Sequence, residues 1–237
     1  MLNKKLAIMQ PYFLPFLGYF QLMNAVDEFV VYDNIQFTKR GWIHRNRILQ
    51  NKQPAYISLP LKKDSDFLNV NQRFLSENFD RDKVKLLSKI KAAYQKAPQF
   101  EKVFPIVEEI FKFDNTNLFK YTHNSLEVLK DFLNIDTKLI ISSEVDIDHN
   151  RKSQDKVIAI CQALNAKVYV NPEGGKELYS KEEFNDHQID LRFHTYIPEP
   201  YPQFLEEFVS HLSIIDLLMF CDKETLKNKL NHNFKVD

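Results

Sequence analysis

The sequence predicts an α/β fold, with a Rossmann-like, parallel-containing sheet and a helical insertion or layer. The pattern strand–helix–strand occurs twice, within residues 6–33 and again within residues 138–171. Two parallel strands joined by a helix indicate a twisted sheet covered by helices. Between these units, residues 80–133 show helical apolar spacing throughout. We therefore expect residues 1–237 to form a single α/β domain, with 80–133 as a helical insertion or subdomain within it.

The first unit begins with the apolar run Leu6–Met9, which is short enough for a buried strand. A turn bracketed by Pro11 and Pro15 follows, and a helical pattern continues to about residue 24. Residues 29–33 predict a second strand that ends in an aspartate. A third strand candidate lies at residues 55–61, before a polar loop.

The middle of the chain shows three apolar stripes with helical spacing. Pro98 and Pro105 interrupt the first two, and residues 114–116 can cap the third helix. The second unit then places a strand at 138–143, a helix at 153–164 and a strand at 167–171. The alternation at residues 189–193 predicts a further strand, at the edge of the sheet or within it. A proline-rich linker at 198–202 leads to a final helix at 212–220.

Composition excludes several classes of protein. The formal net charge of zero argues against a nucleic-acid binder, which needs a broad basic face. No apolar run approaches the ~20 residues of a membrane span, and no signal peptide is evident. Cys161 and Cys221 lie in apolar helical patterns and are expected to be buried thiols. We expect a cytoplasmic protein.

Glycine is scarce, and the four glycines form neither a P-loop nor a G-x-G-x-x-G turn. Any nucleotide phosphate would have to be held by side chains and helix N-termini. The seven histidines show no metal-binding spacing, so we expect no metal site. The sequence identifies no cofactor.

Polar residues follow the two N-terminal strands, where ligands bind in open α/β sheets. Gln10 and Tyr12 follow the first strand, and Asp33 ends the second. The basic segment that comes next contains Lys39, Arg40, Trp42, Arg45, Asn46 and Arg47. Guanidinium groups beside a flat ring suit a phosphate or carboxylate, although a solvated charged loop is the alternative. We expect both polar clusters to face one cleft.

Other candidates lie further along the chain. Gly174 and Gly175 after the last strand of the second unit, with Tyr179, either approach a ligand or form a turn. Gln203 in the proline-rich linker is expected to approach the same cleft. His123, on a helix, is either a satisfied histidine or a general base. Asp216, inside an apolar run, is a surface-edge residue, a partnered buried carboxylate or a catalytic group.

The chain resembles the WbqC-like protein family over nearly its whole length. The resemblance is carried by residues 7–22, by Tyr32-Asp33 through Lys39-Arg40-Gly41-Trp42 and Arg45-Asn46-Arg47-Ile48, and by later segments. These later segments are Tyr169, Asn171, Gly174-Gly175-Lys176, Tyr179, Phe184, Tyr201-Pro202-Gln203 and residues 212–218. The resemblance implies an enzyme-like cytoplasmic protein encoded among bacterial surface-polysaccharide and O-antigen biosynthesis functions.

Two functional hypotheses follow. The first is a transferase that adds an acyl or aminoacyl group to an activated amino sugar. The basic segment would hold the phosphate of a nucleotide-sugar or activated acyl donor, and Gln10 and Tyr12 would orient the acceptor. Asp33 or His123 would take a proton. The second is a non-catalytic nucleotide-sugar-binding or assembly protein of a glycan-synthesis complex. Formation of a homo-oligomer stays open.

Overall fold

A six-stranded, mostly parallel sheet forms the centre of the computed structural model, which describes residues 3–237. The strands are β1 (Lys5–Met9), β2 (Glu28–Val31), β3 (Arg45–Gln50), β4 (Gln53–Ser58), β5 (Lys138–Ile141), β6 (Val168–Pro172), β7 (Asp190–Tyr196) and β8 (Phe234–Val236). The helices are α1 (Leu17–Asn24), α2 (Phe79–Tyr94), α3 (Phe100–Lys112), α4 (Leu118–Phe132), α5 (Ser153–Ala163), α6 (Lys181–Asp186), α7 (Ile214–Phe220) and α8 (Lys223–Asn231).

The strand order in the sheet is β5-β2-β1-β6-β7-β8. All neighbours pair in parallel except β7 and β8, which are antiparallel. Both strand–helix–strand units therefore belong to one sheet, which confirms the predicted α/β class. The chain order reverses between β1 and β6, and in open α/β sheets ligands bind beyond the carboxyl ends of the strands at such a point.

Alternation along the central strands distributes their side chains between two cores. Ala7 and Phe29 point into a core formed with α1, α2, α3, α4 and α7. Leu6, Ile8 and Val30 point into a second core formed with α5 and α6. Because successive strand residues face opposite sides, a sheet that is covered on both faces needs such nearly continuous apolar runs. Helices thus lie on both faces, and the carboxyl edge is left for polar residues.

Residues 79–132 form three helices, as the apolar spacing predicts. One hydrophobic cluster joins them to the sheet, with Val107 of α3, Leu126 of α4 and Ala7 of β1 among its members. Pro105 lies inside α3 and does not end a helix there. The assignment of 1–237 as a single domain with an insertion at 80–133 stays a prediction.

Three elements differ from the sequence prediction. The second half of the basic segment is a strand and not a loop. Arg45–Gln50 forms β3, which pairs with β4 in a separate antiparallel hairpin. The strand predicted at residues 189–193 is not at the edge, since β8 covers β7. The helix at residues 214–220 is not the last one, because α8 follows after two residues. Within residues 3–237, no helix is long and apolar enough to cross a membrane.

Candidate functional site

A polar cavity of about 400 Å³ lies between the carboxyl ends of β2 and β5 and one side of α4. We call it the His123 cavity. Its lining residues are Asp33, Asn71, Phe113, Asn117, Phe119, Lys120, His123, Asn124, Glu127, Ile141, Ser143 and Glu144. The cavity contains both residues that the sequence nominated as catalytic. The cation, carboxylates and amides around it suit a polar, hydroxyl- or amine-bearing molecule.

Asp33 is buried and its carboxylate accepts four hydrogen bonds. Oδ1 accepts from the Ser142 hydroxyl at 2.8 Å and the Ser143 amide at 2.9 Å. Oδ2 accepts from the Ser143 hydroxyl at 2.7 Å and the Asn71 side chain at 2.8 Å. Burial raises the pKa of Asp33, but these hydrogen bonds outweigh it and lower the pKa. Asp33 is therefore an ionised group that ties the end of β2 to the end of β5.

His123 lines the same cavity and has a buried, unpaired ring nitrogen. Asn117 begins α4 by accepting the Lys120 amide at 3.1 Å, and His123 lies two turns along that helix. Its Nε2 is buried and has no hydrogen-bond partner among the described residues, since Glu127 Oε1 is 3.9 Å away. Burial lowers the pKa of His123, and the opposing effect of Glu127, Glu144 and Asp33 is smaller. The imidazole is neutral at neutral pH and free to accept a proton.

A second, smaller cavity of about 90 Å³ lies between the turn after β1 and the β3–β4 hairpin. We call it the Trp42 cavity, and its lining residues are Tyr12, Phe16, Trp42, Asn46, Arg47 and His211. The Arg47 guanidinium lies 5.6 Å from the Trp42 ring centre. Arg47 Nη2 donates to the His211 carbonyl at 3.4 Å, while its buried Nε has no partner among the residues described.

Asn46 lines the Trp42 cavity but supports the turn beside it. Its side-chain nitrogen donates to the carbonyls of Phe13 and Leu14, at 3.1 and 2.8 Å. Leu14 has a positive φ of 46°, which is uncommon for a residue with a side chain. The Ser213 hydroxyl donates to the same Leu14 carbonyl at 2.8 Å. Asn46 and Ser213 together hold this strained turn in place.

The structure does not form the single cleft that the sequence predicts. Asp33 and His123 line one cavity, Tyr12, Trp42, Asn46 and Arg47 line the other, and no lining residue is shared. The basic segment lies away from the carboxyl edge of the central sheet, because hydrogen bonds hold β3 against other elements. The Ser213 amide donates to the Arg47 carbonyl at 2.8 Å, and the Leu49 amide donates to the Tyr94 hydroxyl at 3.0 Å. These contacts draw the hairpin toward α7 and α2.

The remaining basic residues line neither cavity. Lys39 and Arg40 are exposed. Arg45 donates to the carbonyls of Gly41 and Arg40, at 3.1 and 2.6 Å, and its guanidinium lies 4.8 Å from the Tyr56 ring centre. Arg45 therefore stabilises the loop that carries Trp42. Gln10 is half-buried directly after β1, and its side chain makes no hydrogen bond with the described part of the chain.

Gly175 lies in a short 3-10 helix (Glu173–Leu178) directly after β6, and Tyr179 follows that helix. Asn171 accepts the Tyr169 hydroxyl at 3.0 Å and donates to the Pro172 carbonyl at 3.1 Å, so its side chain is fixed. A Cβ on Gly175 would lie 2.1 Å from the Asn171 side-chain nitrogen. Gly175 thus permits a close approach, whereas a Cβ on the neighbouring Gly174 would meet nothing within 4 Å.

We expect Gly175→Ala to destabilise the protein by about 1–3 kcal/mol, the usual cost of overpacking. Asn171 would have to move and lose the hydrogen bond from Tyr169. Gly174→Ala is the matched control and should change the free energy of unfolding by less than ~0.5 kcal/mol. Urea unfolding of the two variants measures the difference, and equal stabilities would contradict this account of Gly175.

Gln203 is directed away from both cavities. Its side chain donates to Asp216 Oδ1 at 2.8 Å and to the Val209 carbonyl at 3.1 Å. Asp216 is fully buried and also accepts from the Tyr94 and Tyr201 hydroxyls, both at 2.7 Å. Of the three alternatives that the sequence left open for Asp216, the structure shows the partnered buried carboxylate. Burial raises the pKa of Asp216 despite these hydrogen bonds.

Sequence reasoning missed several residues that the fold brings to the site. Asn71 lies in a short 3-10 helix (Val70–Gln72) whose sequence has no apolar pattern, and Lys120 becomes a lining residue only through the position of α4. Ser142 and Ser143 could have been predicted as site residues, because they follow strand β5 in the same way that Asp33 follows β2. Lys156 in the first turn of α5 is only 5% exposed, yet nothing in its local sequence marks it. Within residues 3–237, no cluster of His, Cys, Asp and Glu has the geometry of a metal site.

Comparison with known proteins places the chain in a family and identifies a relative. The model of the WbqC-like protein family matches residues 10–228. The uncharacterized protein Rv1507c of Mycobacterium tuberculosis is 28% identical over 217 residues, which cover 91% of this chain and 93% of that protein. No solved structure matches the chain. The matched region includes every residue that lines the two cavities.

Proposed function

The chain belongs to the WbqC-like protein family, and from this premise we propose that it is a transferase of bacterial surface-polysaccharide (O-antigen) biosynthesis. The reaction is the transfer of an acyl or aminoacyl group to an activated amino sugar. The observation that carries the proposal is the neutral His123 imidazole, which lines a polar cavity together with the ionised Asp33 and whose buried Nε2 has no hydrogen-bond partner among residues 3–237. An amine that attacks an acyl group must lose a proton, and this nitrogen can accept it.

The step can be written on the residues of the His123 cavity. The acceptor amine attacks the carbonyl carbon of the activated donor, and a nitrogen–carbon bond forms. The bond from that carbon to the leaving group breaks, and the leaving group departs with the electron pair. His123 Nε2 takes the amine proton, and the charges of Glu127, Glu144 and Asp33 stabilise the resulting imidazolium, because each of them raises the pKa of His123. The Asn124 side chain, which also lines the cavity, supplies hydrogen bonds for sugar hydroxyls.

The Trp42 cavity is proposed to hold a part of the substrate that does not react. Arg47 provides a guanidinium group whose Nε has no partner among the described residues, and Trp42 and Tyr12 provide aromatic rings that line the same cavity. Such a combination suits a phosphate or carboxylate attached to a planar group. The cavity would therefore bind the nucleotide or carrier end of the substrate.

Arg47→Ala should weaken binding of nucleotide-sugars roughly tenfold or more, since a charge-assisted hydrogen bond contributes about 1.5–3 kcal/mol. Arg81→Ala is the matched control, because Arg81 is an exposed arginine of α2 that lines neither cavity. Calorimetric titration of both variants with the same nucleotide-sugar measures the effect. Equal affinities of Arg47→Ala and wild type would remove Arg47 from the proposal.

A non-catalytic nucleotide-sugar-binding or assembly role is the second candidate. It is favoured by the engagement of Asp33 within the protein, since both of its carboxylate oxygens already accept hydrogen bonds from Ser142, Ser143 and Asn71. Under this alternative the His123 cavity recognises a sugar and catalyses no step.

One experiment separates the two candidates. The purified protein is first screened for thermal stabilisation by nucleotides, nucleotide-sugars, acyl carriers and amino acids, since ligand binding raises the melting temperature by mass action. Stabilising donors and acceptors are then combined in pairs, and products are detected by mass spectrometry. Acylated sugar formed by the wild type supports the transferase. Binding without product in any pair supports the second candidate.

A further inference from the structure

A further cavity, of about 550 Å³, lies along the edge of the central sheet and adjoins the His123 cavity. We call it the β5 cavity, because all four residues of β5 line it. Its other lining residues are His123, Glu144, Val145, Asp146, Ala163 and Leu164. His123, Ile141 and Glu144 line the His123 cavity as well. The two cavities therefore meet at the imidazole that is proposed as the base.

The outer edge of β5 offers backbone groups for hydrogen bonding. β5 is the terminal strand of the sheet, and the strand that pairs with it is β2. Apart from this pairing, no hydrogen bond within residues 3–237 engages the backbone of Lys138, Leu139 or Ile140. The edge of a sheet presents unpaired N–H and C=O groups, and a ligand with its own amide or carbonyl can pair with them.

The charged groups of the β5 cavity favour a cationic ligand. Glu144 and Asp146 are exposed, and neither carboxylate forms an ion pair with a side chain in the described part of the chain. Lys138 is the lysine among the lining residues, and its ammonium lies 4.0 Å from a carboxylate oxygen of Glu28 in β2. The two carboxylates are thus left to interact with a ligand, and Glu144 stands at the boundary with the His123 cavity.

Apolar side chains complete the lining of the β5 cavity. Val145 is buried, and Leu139, Ile141 and Leu164 are half-buried. An aminoacyl group has the features that match this lining, since its α-ammonium suits the carboxylates, its carbonyl suits a backbone amide and an apolar side chain suits the walls. A simple acyl group carries no cation and leaves the carboxylates unused.

We propose that the β5 cavity binds an aminoacyl group with a free α-ammonium and an apolar side chain, and that the donor is therefore aminoacyl and not simply acyl. The reaction rests on the proposed function, but the binding of this group does not. The carbonyl carbon of the donor lies at the boundary, beside His123, and the acceptor amine approaches from the His123 cavity. The nitrogen–carbon bond forms there, the leaving group departs with the electron pair, and His123 takes the amine proton.

The test is a titration of the full chain with L-leucinamide and with isocaproamide, followed by NMR. The two probes differ only in the α-amine, which isocaproamide lacks. We expect the dissociation constant of leucinamide to be roughly fivefold lower or more, because ion pairs with two exposed carboxylates each add a small factor. The backbone amide signals of residues 139–141 should shift as leucinamide binds.

Asp146→Asn should raise the dissociation constant of leucinamide roughly threefold and leave that of isocaproamide unchanged. Asp146 suits this test because it lines the β5 cavity and not the His123 cavity. Asp148→Asn is the matched control. Asp148 is exposed two residues further on, lines neither cavity, and accepts the Asn150 amide at 3.0 Å, which an asparagine oxygen can also do.

Equal affinities for the two probes, or unchanged signals at residues 139–141, overturn the proposal. If the same signals shift when the protein concentration alone is raised, and sedimentation shows a dimer, the edge of β5 pairs with a second copy and the proposal is also overturned. A preference for leucinamide that Asp146→Asn reduces supports the aminoacyl site. If that protein forms no acylated sugar, the site stands and only the transferase is removed.

Discussion

Replacement of His123 by Gln is expected to reduce the rate of acyl transfer by roughly 10²–10⁴-fold, the usual contribution of a general base. Glutamine retains a polar side chain of similar size, so the cavity keeps its shape. The affinity for the acceptor should stay near the wild-type value, because His123 Nε2 acts on the proton that leaves during the reaction. The expected signature is a loss of kcat with little change in KM.

His194→Gln provides the matched control. His194 is also buried and its Nε2 also lacks a partner among the described residues, but it packs on Phe234 in the β7–β8 pair and lines neither cavity. Burial lowers its pKa to about 4, so it too is neutral at neutral pH. This variant should keep full activity. Equal kcat values for His123→Gln and wild type would show that His123 is not the base.

The pH profile gives an independent check on the same residue. Protonation of the imidazole removes the lone pair that accepts the proton, so the rate should fall as the pH drops below the pKa of His123. Because burial lowers that pKa from its ordinary value of 6.5, the acid limb should lie below 6.5. In His123→Gln the residual rate should lose this limb. A limb that persists unchanged in the variant would belong to another group.

The central sheet was predictable because its signals are local. Leu6–Met9 and residues 139–141 are short apolar runs followed by polar residues, and a buried parallel strand requires that pattern. The hairpin was harder to predict, since the charged Arg45 and Arg47 alternate in β3 with the buried Asn46 and Ile48. Such a strand has one half-buried, cationic face, and from sequence it is difficult to distinguish from a charged loop.

The site was only partly predictable because it depends on contacts between distant segments. Asp33 was recognised from its position after a strand, but its four donors come from residues 71, 142 and 143. Likewise, the separation of Arg47 from Asp33 follows from Ser213 and Tyr94, which hold β3 from positions far along the chain. Periodicity identifies where a strand ends, and it carries no information about which loop covers that end.

Loss of the Asp216 carboxylate is expected to have the largest effect on stability. Asp216 joins α7 to Tyr94 of α2 and to Tyr201 and Gln203 of the proline-rich linker, and it is fully buried. In Asp216→Ala these donors would lose their acceptor in a site closed to water. Each unsatisfied buried donor costs about 1–3 kcal/mol, so we expect a destabilisation on the order of 3 kcal/mol. Asp136→Ala, at an exposed position, should change stability by less than about 0.5 kcal/mol.

The dependence of this effect on pH follows from the raised pKa of Asp216. A carboxyl whose folded-state pKa exceeds its unfolded value, near 3.8, binds its proton more tightly in the folded protein. Its contribution to stability is fully present below the unfolded pKa and declines as the pH rises through the folded pKa. Urea unfolding should therefore show a larger destabilisation by Asp216→Ala at about pH 4 than at about pH 8. A larger loss at about pH 8 would mean that the ionised carboxylate is the form that the two tyrosines stabilise.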